Sequence, residues 1–127
     1  MTDHPFTVGD IIKTGYKSGE YIGEIVSLAP PRATVKILAV IKHPAQGDLH
    51  HPHEVHVPLF HQRRALSHQE KIVAPLRALE SYSGNIPDYK ASLDNAINEE
   101  IRLLRGNNDE WSKRALEELE KLKEEYA

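Results

Sequence analysis

Ala33-Thr34-Val35-Lys36-Ile37-Leu38-Ala39-Val40-Ile41-Lys42 is the stretch on which the fold class turns. Val35, Ile37, Ala39 and Ile41 alternate with Thr34, Lys36, Leu38 and Val40. Successive side chains on a strand point to opposite faces, so one face is wholly apolar and the other mixed, as in a strand covered mainly on one side. Before it, Pro30-Pro31 breaks pairing, because proline has no N–H to give to a ladder. Glu20 to Leu28 is rich in β-branched and aromatic residues, and its Gly23 marks a bulge or a close approach by another backbone. Tyr16-Lys17-Ser18-Gly19 predicts a tight turn, and Val8 to Lys13 a first short strand entered through Gly9-Asp10. After it, Val55 to Phe60 predicts a further strand, with Val55, Val57 and Leu59 on one face. Pro58 puts that strand at an edge or a bulge.

From Ala65 to Tyr82 two readings compete. Ser67 with Glu70 fits a capping box for a helix, but Pro75 would interrupt that helix early. A strand over Gln69 to Ala74, followed by a short helical turn at Leu76 to Glu80, is the preferred reading. Ser83-Gly84-Asn85-Ile86-Pro87 is a turn-rich connection, and Asp88 a helix cap. Tyr89, Leu93, Ile97, Ile101 and Leu104 line one helical face, and Gly106-Asn107-Asn108 supplies the stop and the next cap. Trp111, Ala115, Leu119, Leu122 and Tyr126 line a second helix, whose other face carries the pairs Glu117–Lys121 and Glu120–Lys123. The expected fold is α+β: a small, curled, β-barrel-like N-terminal sheet over residues 1–82, then an antiparallel two-helix hairpin over 88–127, packed on or beside it.

The chain has 127 residues, 39% of them hydrophobic and 28% charged, which suits a globular protein with a real core. Without cysteine there is no disulfide scaffold, thiolate metal site, thiol nucleophile or cysteine-linked lipid. No apolar run is long enough to cross a bilayer, and residues 1–7 carry no signal core, so the expected location is cytoplasmic, with no stable membrane insertion. Residues 1–80 hold nine Lys/Arg against eight Asp/Glu, and residues 81–127 hold seven against eleven. Nucleic-acid binding normally needs a basic surplus, so it is not the expected partner class.

Seven of the eight histidines lie between His43 and His68. Imidazole is a common metal ligand, so His50, His51, His53 and His56 form the alternative metal site or metal-dependent centre. Their spacing matches no helical His-Glu-x-x-His or zinc-ribbon pattern. Arg63-Arg64 can grip a carboxylate or phosphate in bidentate fashion. Tyr16, Tyr21 and Phe60 offer a third reading, a peptide- or RNA-binding aromatic ledge. No nucleophile elbow, phosphate-cradling loop or dinucleotide fingerprint is present, so no catalytic residue and no cofactor are assigned.

Ile41-Lys42-His43-Pro44-Ala45-Gln46-Gly47-Asp48-Leu49-His50-His51-Pro52, with Val57-Pro58-Leu59-Phe60-His61-Gln62-Arg63-Arg64-Ala65-Leu66, resembles the kinase-associated protein B family, also called kinase-associated lipoprotein B. Gly15 to Ile25 and Ile86-Pro87-Asp88-Tyr89 are similar to it too. The resemblance implies a β-rich N-terminal unit followed by helices. It further implies a regulatory protein associated with a sporulation sensor histidine kinase, promoting phosphate flow into the phosphorelay. The lipoprotein label requires an acylated cysteine, and this sequence has none. The expected partner surface is His43, Gln46, Asp48 and His50, with Phe60, His61 and Arg63 beside them, because an elaborate polar loop suits recognition. The competing role is bracing, with Gln46 bridging strands and Asp48 capping amides. The helical hairpin suits either the kinase contact or a homodimer seam.

Overall fold

The computed structural model describes residues 6–46, 62–107 and 109–127. Within them, five strands form one antiparallel sheet in the order β4-β3-β2-β1-β5, followed by two helices. The strands are β1 (Ile11–Tyr16), β2 (Gly19–Ala29), β3 (Arg32–Lys42), β4 (Lys71–Pro75) and β5 (Glu80–Ser81). The α+β class is as expected, and among the described residues the sheet is not closed, so barrel-like describes it only loosely. β5 returns to β1 through only two pairs, Ile12↔Ser81 and Lys13↔Glu80, and the two edges do not meet. The Val55–Phe60 strand expectation lies outside the described residues.

Local chemistry places each turn. Lys17 and Ser18 take φ of 47° and 71°, and two left-handed residues give the twist that closes a two-residue hairpin. β1 begins three residues later than expected because Val8-Gly9 forms a turn of its own. Gly9 sits at φ 98°, and Asp10 Oδ2 accepts from Thr7 N–H at 2.9 Å. Pro30-Pro31 forms the whole β2–β3 turn, with Ala29 opposite Arg32. Glu70 does bond back to Ser67 N–H, at 2.8 Å, yet this box opens no helix. Gln69 turns left-handed at φ 70° and leads directly into β4. A short 3-10 turn (Leu76–Ala78) then connects β4 to β5.

β3 departs from simple alternation. Its pairing with β2 skips Leu38 and Ile41, and on β2 it skips Val26. Each extra residue is a bulge that bends the strand and changes its phase. Val40 is therefore buried, and Ile41, expected on the apolar face, is 40% exposed. Gly23 sits at one of these irregularities. A Cβ there would lie 2.4 Å from Val35 Cγ1 and 2.9 Å from Lys36 O, so the close backbone approach expected of this glycine is present.

The helix α1 (Tyr89–Arg105) is capped by Asp88, whose carboxylate accepts from Ala91 N–H at 3.1 Å. It packs on β3, and Ser92 Oγ accepts from Val40 N–H at 2.9 Å while donating to Tyr89 O at 2.7 Å. The helix α2 (Glu110–Tyr126) is capped by Asp109 rather than by the Asn pair, through Ser112 N–H at 2.7 Å. One core cluster joins Ile12, Tyr21, Ile25, Val35, Ile37, Ile72 and Leu79 of the sheet region to Leu93 and Ala96 of α1. A second lies between the helices, with Ile97, Ile101 and Leu104 against Ala115, Leu119 and Leu122. The surface pairs also differ from expectation. Lys121 turns to Glu118 at 3.5 Å, and Glu120 reaches Arg105 of α1 at 3.3 Å.

Candidate functional site

Two short segments, 43–46 after β3 and 62–66 before β4, are held against each other by side chains rather than by a strand ladder. Gln46 does most of this. Its Oε1 accepts from Arg63 N–H at 2.9 Å, and its Nε2 donates to Arg63 O and to Pro44 O, both at 3.0 Å. One amide side chain thus engages both backbone groups of Arg63, as a neighbouring strand would.

His43 is fully buried, at 0% exposure. Its Nδ1 lies 3.0 Å from Pro44 O, which can only accept, so Nδ1 carries the proton. Nε2 is then an acceptor and takes the hydroxyl proton of Tyr126 at 2.9 Å. Tyr126 Oη in turn accepts from Ala65 N–H at 3.0 Å. Burial lowers the His43 pKa to about 4, against a smaller opposing effect of the Pro44 contact, so the ring is neutral near pH 7. Two more phenols secure the next residue: Tyr21 Oη accepts from Leu66 N–H at 3.3 Å, and Tyr89 Oη donates to Leu66 O. Burial pushes both of these phenols up to about 12, so they keep their protons. From α2, Glu118 accepts from Gln62 Nε2 at 3.3 Å, and Arg64 pairs with Glu125.

These clamps leave an open cleft of about 280 Å³ between the β1–β2 turn and segment 62–66, lined by Tyr16, Lys17, Tyr21, Arg63, Arg64 and Glu70 among others. Of the described residues of the expected partner surface, only Arg63 faces this cleft. His43 and Gln46 (4% exposed) are buried and bonded internally, so their contribution is to brace and not to present a surface. Asp48, His50, Phe60 and His61 lie outside the described residues, as do His51, His53 and His56 of the alternative metal site. The aromatic-ledge reading fails at Tyr21, which is 1% exposed and buried in the core. Its ring forms floor, not a stacking platform.

A family model for kinase associated protein B matches residues 16–127 of the chain. The chain belongs to the kinase-associated protein B family. It is 45% identical over 121 residues to a kinase-associated lipoprotein B of Bacillus subtilis (strain 168), covering 95% of this chain and 94% of that protein. It is also similar to the crystal structure of kinase-associated protein B from Bacillus cereus, with TM-score 0.84, 37% identity, and coverage of 95% of this chain and 97% of that one. Among the described residues no helix is long and apolar enough to cross a membrane.

Within this family member, the residue that sequence reading missed is Tyr126. Helical periodicity places it correctly on the inner stripe of α2, but periodicity treats it as an apolar ring. Its hydroxyl, which joins the segments on either side of residues 47–61, has no signature in spacing.

Proposed function

We propose that this chain is a non-enzymatic, cytoplasmic accessory protein that binds a sensor histidine kinase and promotes its signalling into a sporulation phosphorelay. Family membership supports a kinase partner, and the sequence lacks the motifs of nucleophilic, phosphate-cradling or dinucleotide chemistry. The observation that carries the reading is the clamp around the cleft. Gln46, Tyr21, Tyr89 and Tyr126 hold backbone with their polar atoms and His43 holds the Tyr126 hydroxyl, so the cleft wall is a rigid base for contact. The contact surface we assign is Arg63, together with Asp48, His50, Phe60 and His61. Such a protein activates only by binding the active conformation of the kinase more tightly than the inactive one.

The test is capture of the sensor kinase by the full chain, with autophosphorylation measured in parallel. The two halves are not separated, since one core cluster spans both. Capture and faster phosphorylation are expected with the natural sequence, and both weaken on joint substitution of His50 and Arg63 by alanine while the Tm stays unchanged. Failure to capture the kinase, or capture without any effect on phosphorylation, overturns the reading.

A further inference from the structure

The cleft is unbalanced in charge. Among the described residues, Lys17, Arg63 and Arg64 line it against one carboxylate, Glu70, in a chain whose formal net charge is −3. Most of these groups have partners already. Glu70 Oε1 holds Ser67 N–H at 2.8 Å. Arg64 pairs with Glu125 and lies over the Tyr126 ring at 5.3 Å, and Lys17 Nζ lies 5.4 Å from the centroid of Tyr16. Arg63 is different. Its Nε is buried with no acceptor, and none of the described residues forms an ion pair with it. The planar guanidinium fork matches a carboxylate. The backbone that carries Arg63 is also held in place, because Gln46 engages both its N–H and its C=O. The volume, about 280 Å³, falls just under the roughly 300–1,000 Å³ of small-molecule pockets and suits a side chain with its backbone.

We propose that this cleft receives an acidic segment of a partner protein, an Asp or Glu carboxylate seating on Arg63 with Lys17 at the rim. This rests on the accessory-protein reading and names the chemistry of the contact.

The probe is a fluorescein-labelled peptide with a Glu-Asp-Glu core in Gly-Ser flanks, titrated with the full chain and followed by anisotropy. Its amide counterpart, with a Gln-Asn-Gln core, is the control. The acidic peptide is expected to bind, to weaken with added salt, and to lose about tenfold in affinity in Arg63→Ala. Arg63→Lys recovers part of that loss, and Arg102→Ala on the outer face of α1 changes nothing. Arg63→Ala removes no hydrogen bond of the Gln46 clamp, so its Tm matches that of the natural protein. Equal binding of the amide peptide, an unaltered affinity in Arg63→Ala, or no binding of the acidic peptide overturns the proposal. Kinase capture by the same variants separates the two claims. Capture that persists without acidic-peptide binding overturns this inference alone. Acidic-peptide binding without kinase capture overturns the accessory reading and leaves the cleft assignment standing.

Discussion

Nδ1 of His43 faces a carbonyl and Nε2 faces a phenol, and the neutral ring satisfies both at once. Adding a proton sets Nε2–H against the Tyr126 hydroxyl, inside the protein and away from water. The unfolded ring titrates near 6.5 and the folded one near 4, so the unfolded chain binds the extra proton first. His43 therefore contributes stability that is complete above about pH 6.5 and is lost as pH falls toward 4. Between neutral pH and about pH 4 the natural protein should lose roughly 2–3 kcal/mol more than His43→Gln does. Urea titrations of both proteins across that range measure the difference. Gln46 makes a separate prediction. Gln46→Ala leaves Arg63 N–H and Arg63 O without their partner, while Pro44 O keeps His43 Nδ1–H, and should cost on the order of 2–3 kcal/mol by denaturant unfolding. A polar loop beside a strand suggested display; burial assigns these two residues to bracing, because side-chain environment is a property of neighbours distant in sequence.

Among the elements, β2 and β3 show where pattern reading holds and where it stops. Alternation locates β3 within one residue at its start, and Gly23 is flagged as a point of close approach from sequence alone. The bulges at Leu38 and Ile41 are not visible there, since a bulge inserts one residue without a compositional mark and exchanges the two faces after it. Gly23→Ala should destabilise the protein by about 1–3 kcal/mol, because the new methyl group meets Val35 Cγ1 and the Lys36 carbonyl across the pair. Gly15→Ala is the internal comparison. The atom nearest its new Cβ is Gly19 O at 3.6 Å, an ordinary contact, and a change within about 0.5 kcal/mol is expected. Chemical denaturation midpoints of the two variants distinguish a packing requirement from a general aversion to replacing strand glycines. The helices were easier to read, because their apolar stripes recur over four turns and Asp88 is a direct cap signal.

For the molecule as a whole, the last turn of α2 is tied back to the sheet through Tyr126. Its hydroxyl links His43 at the end of β3 with Ala65 before β4, and Arg64 lies over its ring. The C-terminus thus supports the cleft wall, although the cleft and α2 are far apart in sequence. Tyr126→Phe should lower stability by about 1–3 kcal/mol, since His43 Nε2 and Ala65 N–H both lose a partner. Combined with His43→Gln, the two losses should fall short of their sum by about 0.5 kcal/mol or more, because the residues share one bond. Pairing Tyr126→Phe with Arg102→Ala, which removes only the exposed Glu99 contact, should be additive. A full double-mutant cycle by urea unfolding provides the check.

The amino-acid order by itself determined the α+β class, the turn at Tyr16–Gly19, the break at Pro30-Pro31, the strand before Pro75 and the inner faces of both helices. Each rests on periodicity or on the backbone limits of single residues, which act over a few neighbours. That the described strands do not close, that Ile41 turns outward, and that His43 and Gln46 brace while Arg63 faces the cleft were decided only in three dimensions. Those outcomes depend on strand register, burial and hydrogen bonds between residues up to 83 positions apart, and no local pattern carries information over that separation.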